Sequence, residues 1–309
     1  MVARAEFEAG DKRRGWMAGV LRGLIVAVAL VAIWQAVILV FAPPPFMLPP
    51  PSRVWRALVE RPDLWRRDAV TTLIETVSGL ITGALAGIML ALVMTFVPAI
   101  RRILMPLLIV TQAFPVFAIA PLLVLWFGFG IGSKIVMATI AIFFPVASAF
   151  HDGLARTEAG LIDLSRLYRA RRWQEILYLR VPDALPALAS GLRVAAVYAP
   201  VGALIGEWVG ASSGLGYAML MANGRAQTDV VFAALVILAA MAVLVRAVVE
   251  IATRHIAPWA PEPSANILHL QRKTHETLHP ARGARSGSGP DDRTGSGGRQ
   301  ADRASRLVL

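Results

Sequence analysis

The chain contains no cysteine in 309 residues. That excludes a disulfide framework, a thiolate metal site and a cysteine nucleophile. Charge is sparse as well. Only 17% of the residues are Asp, Glu, Lys or Arg, while 56% are hydrophobic, and the mean hydropathy is +0.60. A soluble domain of this size could not bury so much apolar surface, so lipid must be the solvent for most of it. Acidic residues are the scarcer sign, 20 against 31 basic ones, for a net charge of +11. The basic residues lie mainly between apolar runs and in the tails. Anionic headgroups and the positive-inside bias favour that distribution, and it gives no reason to invoke nucleic acid. Catalytic patterns are missing too: there is no Walker A loop, no HExxH and no nucleophile elbow. The chain therefore reads as a non-enzyme with no metal site and no cofactor of its own.

What is present is a series of apolar runs. A bilayer core needs roughly 20 apolar residues per helix, and six segments qualify: Gly23 to Ala42, Thr71 to Val97, Ile103 to Phe127, Ile135 to Phe150 with its flanks, Ala184 to Trp208, and Val230 to Val249. The fold class expected is an all-α polytopic membrane protein of six transmembrane helices. The first run follows Arg13, Arg14 and Arg22. It is too long for a signal-peptide core and leads into Pro43-Pro44-Pro45 without a cleavage pattern, so it is expected to be an uncleaved span. Arg101, Arg102 and the Arg-rich stretch after Phe150 place both termini inside. The opposing feature is Arg53, Arg56, Arg61, Arg66 and Arg67 in the outer segment between spans one and two. Three regions follow: a cytoplasmic segment 1–22, a membrane domain 23–257, and a basic tail 258–309 whose Gly, Ser and Arg content predicts disorder.

Several local signals add detail. Ser52 is placed to cap a short interfacial helix, Arg53 to Glu60. Gly79, Gly83 and Gly87, four apart, predict a face for close helix packing. Pro115 and Pro121 each remove a helical hydrogen bond inside span three, and broken backbone at membrane depth is tolerated where it lines a cavity or lies within protein. That puts Gln112, Phe114 and Pro115 near a pathway. Among ionisable groups, Arg246 and Glu250 read as a local pair four residues apart. Glu75 lies near an interface, and Arg193 is within reach of headgroups or span-end carbonyls. Glu207 and Trp208 stand before the Gly-rich turn Gly210 to Tyr217, where an acid beside an aromatic could hold a polar heteroaromatic solute.

The densest signal is the polar hairpin 151–183 between spans four and five. Leu161, Leu164, Leu167 and Tyr168 recur at helical spacing around Arg166 and Arg169. Trp173 opens a second short helix to Leu179, which Pro182 and Pro186 are expected to separate from span five. Two short amphipathic helices of mixed charge make a docking knob for a soluble partner.

This hairpin resembles the coupling loop of binding-protein-dependent ABC importer permeases. The family signature is Glu-Ala-Ala, three residues, Gly, nine residues, Ile-x-Leu-Pro. Counted back from Pro182, the register gives Asp163-Leu164-Ser165, then Arg169, then Leu179-Arg180-Val181-Pro182. Arg169 replaces the hinge Gly, the residue that tolerates positive φ. Pro121 to Leu154 and Gly206 to Leu220 are similar to the nitrate, sulfonate, taurine and pyrimidine-precursor branch, and the resemblance covers Val54 to Val249. Ala199 to Asp229 looks most like permeases for thiamine pyrimidine precursors such as hydroxymethylpyrimidine. Aliphatic sulfonates, taurine or nitrate are the alternative.

The resemblance implies a type I importer permease in the bacterial inner membrane, without its own ATPase site. It would pair with a second permease copy, an ATPase dimer that binds the ATP, and an extracytoplasmic solute-binding protein. Asp163, Leu164, Ser165, Arg166, Arg169, Ala170, Trp173 and Pro182 would then couple to the ATPase. An ion-coupled secondary transporter is the other class, but it needs ionisable groups at mid-membrane and often two related halves, and the sequence suggests neither.

Overall fold

The computed structural model describes residues 2–113 and 116–256, and every regular element among them is helical. The order is α1 (Val2–Phe41), α2 (Pro51–Glu60), α3 (Pro62–Phe96), α4 (Pro98–Ala113), α5 (Val116–Phe127), α6 (Ile131–Ala155), α7 (Ala159–Leu167), α8 (Arg172–Gln174), a π-helical turn (Glu175–Arg180), α9 (Val181–Gly210), α10 (Leu215–Gly224) and α11 (Thr228–Arg254). The tail expected to be disordered lies outside the described residues.

Five stretches are long and apolar enough to cross a bilayer: Leu21–Phe41, Pro62–Phe96, Ile131–Ala155, Arg172–Gly210 and Thr228–Arg254. The expected span three is covered by α4 and α5, and Phe114 and Pro115 are outside the described residues. Helix register shows why α4 and α5 must together make a crossing. Along α3 and α6, Gly79 meets Ala138, Gly83 meets Ile142 and Gly87 meets Val146. Both sets of numbers rise together, so α3 and α6 run parallel. Two parallel spans need a return passage between them, and only α4 and α5 lie there in sequence.

Close approach positions α6 at the centre. A Cβ on Gly83 would stand 2.5 Å from Ile142 Cγ1, and one on Gly202 would stand 2.9 Å from Ala138 Cα. Glycines of α3 thus pack on one flank of α6, and glycines of the antiparallel α9 pack on another. Within lipid there is little hydrophobic drive between helices, so van der Waals contact at short range holds them together. The expected glycine face is present, and α6 is its partner. Ile142, Val146, Phe150 and Leu154 fill the seam between α3 and α9. A second core joins α2, the start of α3, α10 and α11 around Val54, Trp65, Leu215 and Met241. α1 touches it through Trp34, whose ring lies 5.3 Å from that of Phe232. Large apolar side chains such as Leu39, Leu125 and Val243 remain exposed, as a lipid-facing surface requires.

Two expectations are corrected. The short helix begins at Pro51, Pro50 is its N-cap residue, and no side chain caps it. Ser52 therefore sits inside the first turn, because Pro51 lacks the N–H that a cap would satisfy and its fixed φ suits the first helical position. Nor do Pro182 and Pro186 separate the hairpin from span five. Helical structure continues without interruption from Arg172 to Gly210. The π-turn at Glu175–Arg180 widens the backbone immediately before Pro182, and such a turn relieves the clash of a proline ring with the preceding carbonyls. Elsewhere the reading holds: Arg246 lies 3.8 Å from Glu250. Arg193 donates from Nε to Thr253 Oγ1 at 3.2 Å, tying α9 to α11.

Candidate functional sites

Two polar sites stand at opposite ends of the bundle. The outer one gathers around Glu207 at the end of α9. This carboxylate is fully buried. Thr72 Oγ1 of α3 donates to its Oε1 at 2.6 Å, and the Gly216 N–H donates to its Oε2 at 2.5 Å. The Leu215 N–H donates to Thr72 Oγ1 at 2.9 Å, and the Gly214 N–H donates to Asp68 Oδ1 at 3.2 Å. Three successive backbone N–H groups at the start of α10 are thus held by side chains from α3 and α9. Gly214 is required here: its φ is +113°, and a Cβ would run into the Glu207 carboxylate. Glu75, also buried, lies close to Glu207, and its Oε2 has no hydrogen-bond partner among the described residues.

Lys134, at the start of α6, completes the outer site. Its ammonium donates to the Phe129 carbonyl at 2.5 Å, to the Gly130 carbonyl at 3.0 Å, and to the Gly210 carbonyl. An ammonium has three N–H donors, so all of them are occupied. The sequence reading did not single out Lys134, Thr72 or Asp68. Lys134 opens an apolar run, and a cation there is costly enough to be noticed. Thr72 and Asp68 gave no such signal, because their partners lie 135 to 146 residues away. Trp208 is partly exposed beside the site. Gln112 falls in the last turn of α4, with its side chain outside the described residues, as Phe114 and Pro115 are entirely. Glu207 and Trp208 are neighbours in α9, but the Glu207 carboxylate is buried and engaged on both oxygens while the Trp208 ring is exposed.

The inner site is the hairpin. Asp163, Leu164, Ser165 and Arg166 lie on α7, which buries none of its side chains. Arg166 and Asp163 stand 3.5 Å apart, both well exposed. Ser165 Oγ donates back to the Ile162 carbonyl at 2.7 Å. The helix ends in a Schellman arrangement: the Arg169 N–H donates to the Arg166 carbonyl at 2.9 Å, and the Ala170 N–H to the Ser165 carbonyl at 3.0 Å. That arrangement requires a left-handed residue after the cap, and Arg169 supplies it with φ +54°. The backbone adopts the turn expected of a glycine although an arginine stands there. Trp173 lies in α8, its ring 6.0 Å from Tyr178, and Pro182 sits in the first turn of α9. Arg180 pairs with Glu175, its Nε donating at 2.8 Å.

Residues 79–260 match the family described as binding-protein-dependent transport system inner membrane component. Among curated relatives, a probable ABC transporter permease protein of Haemophilus influenzae is 46% identical over 218 residues, covering 71% of this chain and 89% of the relative. The formylaminopyrimidine transport permease protein ThiX of Halalkalibacterium halodurans is 34% identical, covering 70% of this chain and 86% of ThiX. The putative aliphatic sulfonates transport permease protein SsuC of Bacillus subtilis is 30% identical, covering 81% of this chain and 90% of SsuC. The inward-facing MetNI methionine ABC transporter has a chain with the same fold at a TM-score of 0.56 and 20% identity. It covers 64% of this chain and 98% of its own length.

Proposed function

This chain belongs to the binding-protein-dependent transport system inner membrane components and is a multi-pass permease subunit of an ABC importer, and from that premise we propose that its cargo is a pyrimidine precursor of thiamine. The observation that carries the proposal is the likeness to ThiX, 34% identical over 70% of this chain. Lys134 adds a physical argument. Its three N–H groups are all occupied by carbonyls, which leaves it no donor for a sulfonate or nitrate anion. Trp208 beside Glu207 offers an aromatic face to a heteroaromatic ring. Gln112, Phe114 and Pro115 belong to the same pathway in this reading.

The permease works as a pair, each copy presenting α7 to one subunit of an ATPase dimer, while an extracytoplasmic binding protein delivers the cargo. Asp163, Arg166 and Trp173 form the docking surface. Because α8, the π-turn and α9 are continuous, a push on the hairpin is passed to span five as a rigid-body movement. Alternating access built on such movements is the general logic of paired transporter halves. The chain hydrolyses nothing itself.

A second reading, an aliphatic sulfonate or taurine permease, is favoured by the SsuC likeness, which spans more of the chain. Uptake of labelled hydroxymethylpyrimidine, compared between cells with and without this gene, separates the two. Loss of uptake in the deletion, with competition by pyrimidines and none by sulfonates, is the expected outcome. Unchanged pyrimidine uptake with lost sulfonate or taurine uptake would sink the pyrimidine proposal and leave the importer intact.

A further inference from the structure

Behind the coupling hairpin, at the cytoplasmic end of the bundle, lies a cavity of about 250 Å³. Three separate parts of the chain meet there. Thr95, Pro98 and Arg101 come from the corner between α3 and α4, His151 from the end of α6, and Arg172 and Arg180 from the hairpin. An adjoining cleft of about 380 Å³ shares Thr95, Arg172 and Arg180 and adds Arg166 and Glu175.

The chemistry of the walls is one-sided. The smaller cavity is lined by three guanidinium groups and by no carboxylate. Arg180 is paired with Glu175. Arg172 reaches only the Thr95 carbonyl, at 3.4 Å, and Arg101 makes no ion pair among the described residues. His151 also lines the cavity. It is only 3% exposed, and its ring lies near the Ala91 carbonyl and the Asp152 carboxylate. Both nitrogens are closed off from solvent without a hydrogen bond among the described residues, which is unusual for a buried polar group. Nothing else in the function described above uses these groups.

Converging donors with few acceptors suit an anion that offers several oxygens in a fixed geometry. A phosphate group accepts forked guanidinium N–H pairs in that way. The volume admits a phosphate together with several waters, each about 30 Å³. The cavity lies where α3 and α6 end, and the ends of bilayer-crossing helices meet the headgroups. Basic pockets between spans on the cytoplasmic side are suited to anionic headgroups.

We propose that the cavity framed by Arg101, His151 and Arg172 is a phosphate-binding site that ties the coupling hairpin to the ends of α4 and α6. The phosphate is supplied by an anionic phospholipid headgroup or by free inorganic phosphate. Occupancy bridges the α3–α4 corner to the first residue of α8, so it restrains the same segment that the ATPase must move. This inference does not depend on which cargo the importer carries.

The test uses the full-length permease assembled with its ATPase. Native mass spectrometry would follow retention of phosphatidylglycerol against phosphatidylcholine, and calorimetry would follow inorganic phosphate. The wild type is compared with the double variant Arg101→Gln/Arg172→Gln, and a thermal unfolding scan checks that both are folded. Both arginines lie at the surface of the cavity, so the double variant should unfold within a few degrees of the wild type. If it does not fold, the single variant Arg101→Gln takes its place. Phosphatidylglycerol held at least tenfold more strongly by the wild type than by the variant supports the site with a lipid source. Inorganic phosphate bound by the wild type and lost in the variant, without a preference between lipids, supports the site with a soluble source. Binding of neither, as would follow if an ATPase carboxylate filled the cavity, overturns the proposal. Binding that is equal in wild type and variant overturns it as well.

Discussion

The two ends of the bundle solve opposite problems with similar residues. At the outer end, Glu207, Thr72, Asp68 and Lys134 are buried and aimed at backbone donors and acceptors. Glycines let α3, α6 and α9 close around them. At the inner end, Arg166, Arg169, Tyr168 and Leu167 are exposed, an arginine is held at positive φ, and a donor-lined cavity stands open. A buried polar network is strong when each member is satisfied and costly when any is not. The outer end ties α3, α6, α9 and the start of α10 together, although Glu75 Oε2 in it has no hydrogen-bond partner among the described residues. The inner end leaves its side chains exposed, and in the proposed mechanism it is the lever for which the outer end is the scaffold.

Substitutions sharpen the comparison, and their effects on stability should fall from the outer end to the inner. The largest is expected for Glu207→Leu. It removes the acceptor of the buried Gly216 N–H and one of the two acceptors of Thr72 Oγ1, which keeps the Asp68 carbonyl at 3.1 Å. At about 1–3 kcal/mol for an unsatisfied buried donor, with a hydrogen bond to Thr72 lost as well, the loss should be about 3 kcal/mol. Thermal unfolding of the purified permease would measure it, and an unchanged midpoint would show that the buried network contributes nothing. Gly83→Leu comes next. Its side chain would be driven into Ile142, and overpacking costs about 1–3 kcal/mol. The same scan reads it, and a variant as stable as the wild type would mean that α3 can slide on α6.

Inner-end changes should be milder for the fold. Arg169→Gly relieves a left-handed residue, which costs about 1–2 kcal/mol for a non-glycine side chain. Part of that gain is offset by the greater freedom of glycine when unfolded. A rise in stability of about 1 kcal/mol with transport retained is the expected outcome, and a drop in stability would mean that the arginine side chain makes contacts outweighing its strain. Asp163→Arg is the smallest for stability. The pair it breaks is exposed, and such pairs contribute about 0–1 kcal/mol. Membrane insertion and unfolding should be unchanged while uptake falls several-fold, because the charge of the docking helix is reversed. Normal substrate-stimulated ATPase activity in this variant would remove α7 from the coupling surface.

Much of the inner end was legible in the sequence. The hairpin, the helical spacing around Arg166, the register ending at Pro182 and the replacement of glycine by Arg169 are all local patterns. The outer end was only partly legible. Glu207 and the glycine turn stood out as a costly acid beside flexible backbone. Their real partners did not, since Thr72 and Asp68 look like ordinary polar residues at the start of an apolar run. The cavity behind the hairpin was not legible at all. Arg101, His151 and Arg172 are separated by tens of residues, and each taken alone reads as a span-end residue.

By itself, the sequence determined what depends on composition and short-range periodicity. Hydropathy marked the apolar runs that can cross the bilayer, because a span must be apolar over a fixed length. The coupling signature carried the resemblance to the family. Tertiary structure alone decided which faces meet. It set α3 parallel to α6, turned the Glu207 carboxylate onto the start of α10, and carried the helix through Pro182 by way of a π-turn. Those outcomes rest on contacts between residues far apart in the chain. Close packing selects such contacts by shape, and no local pattern records them.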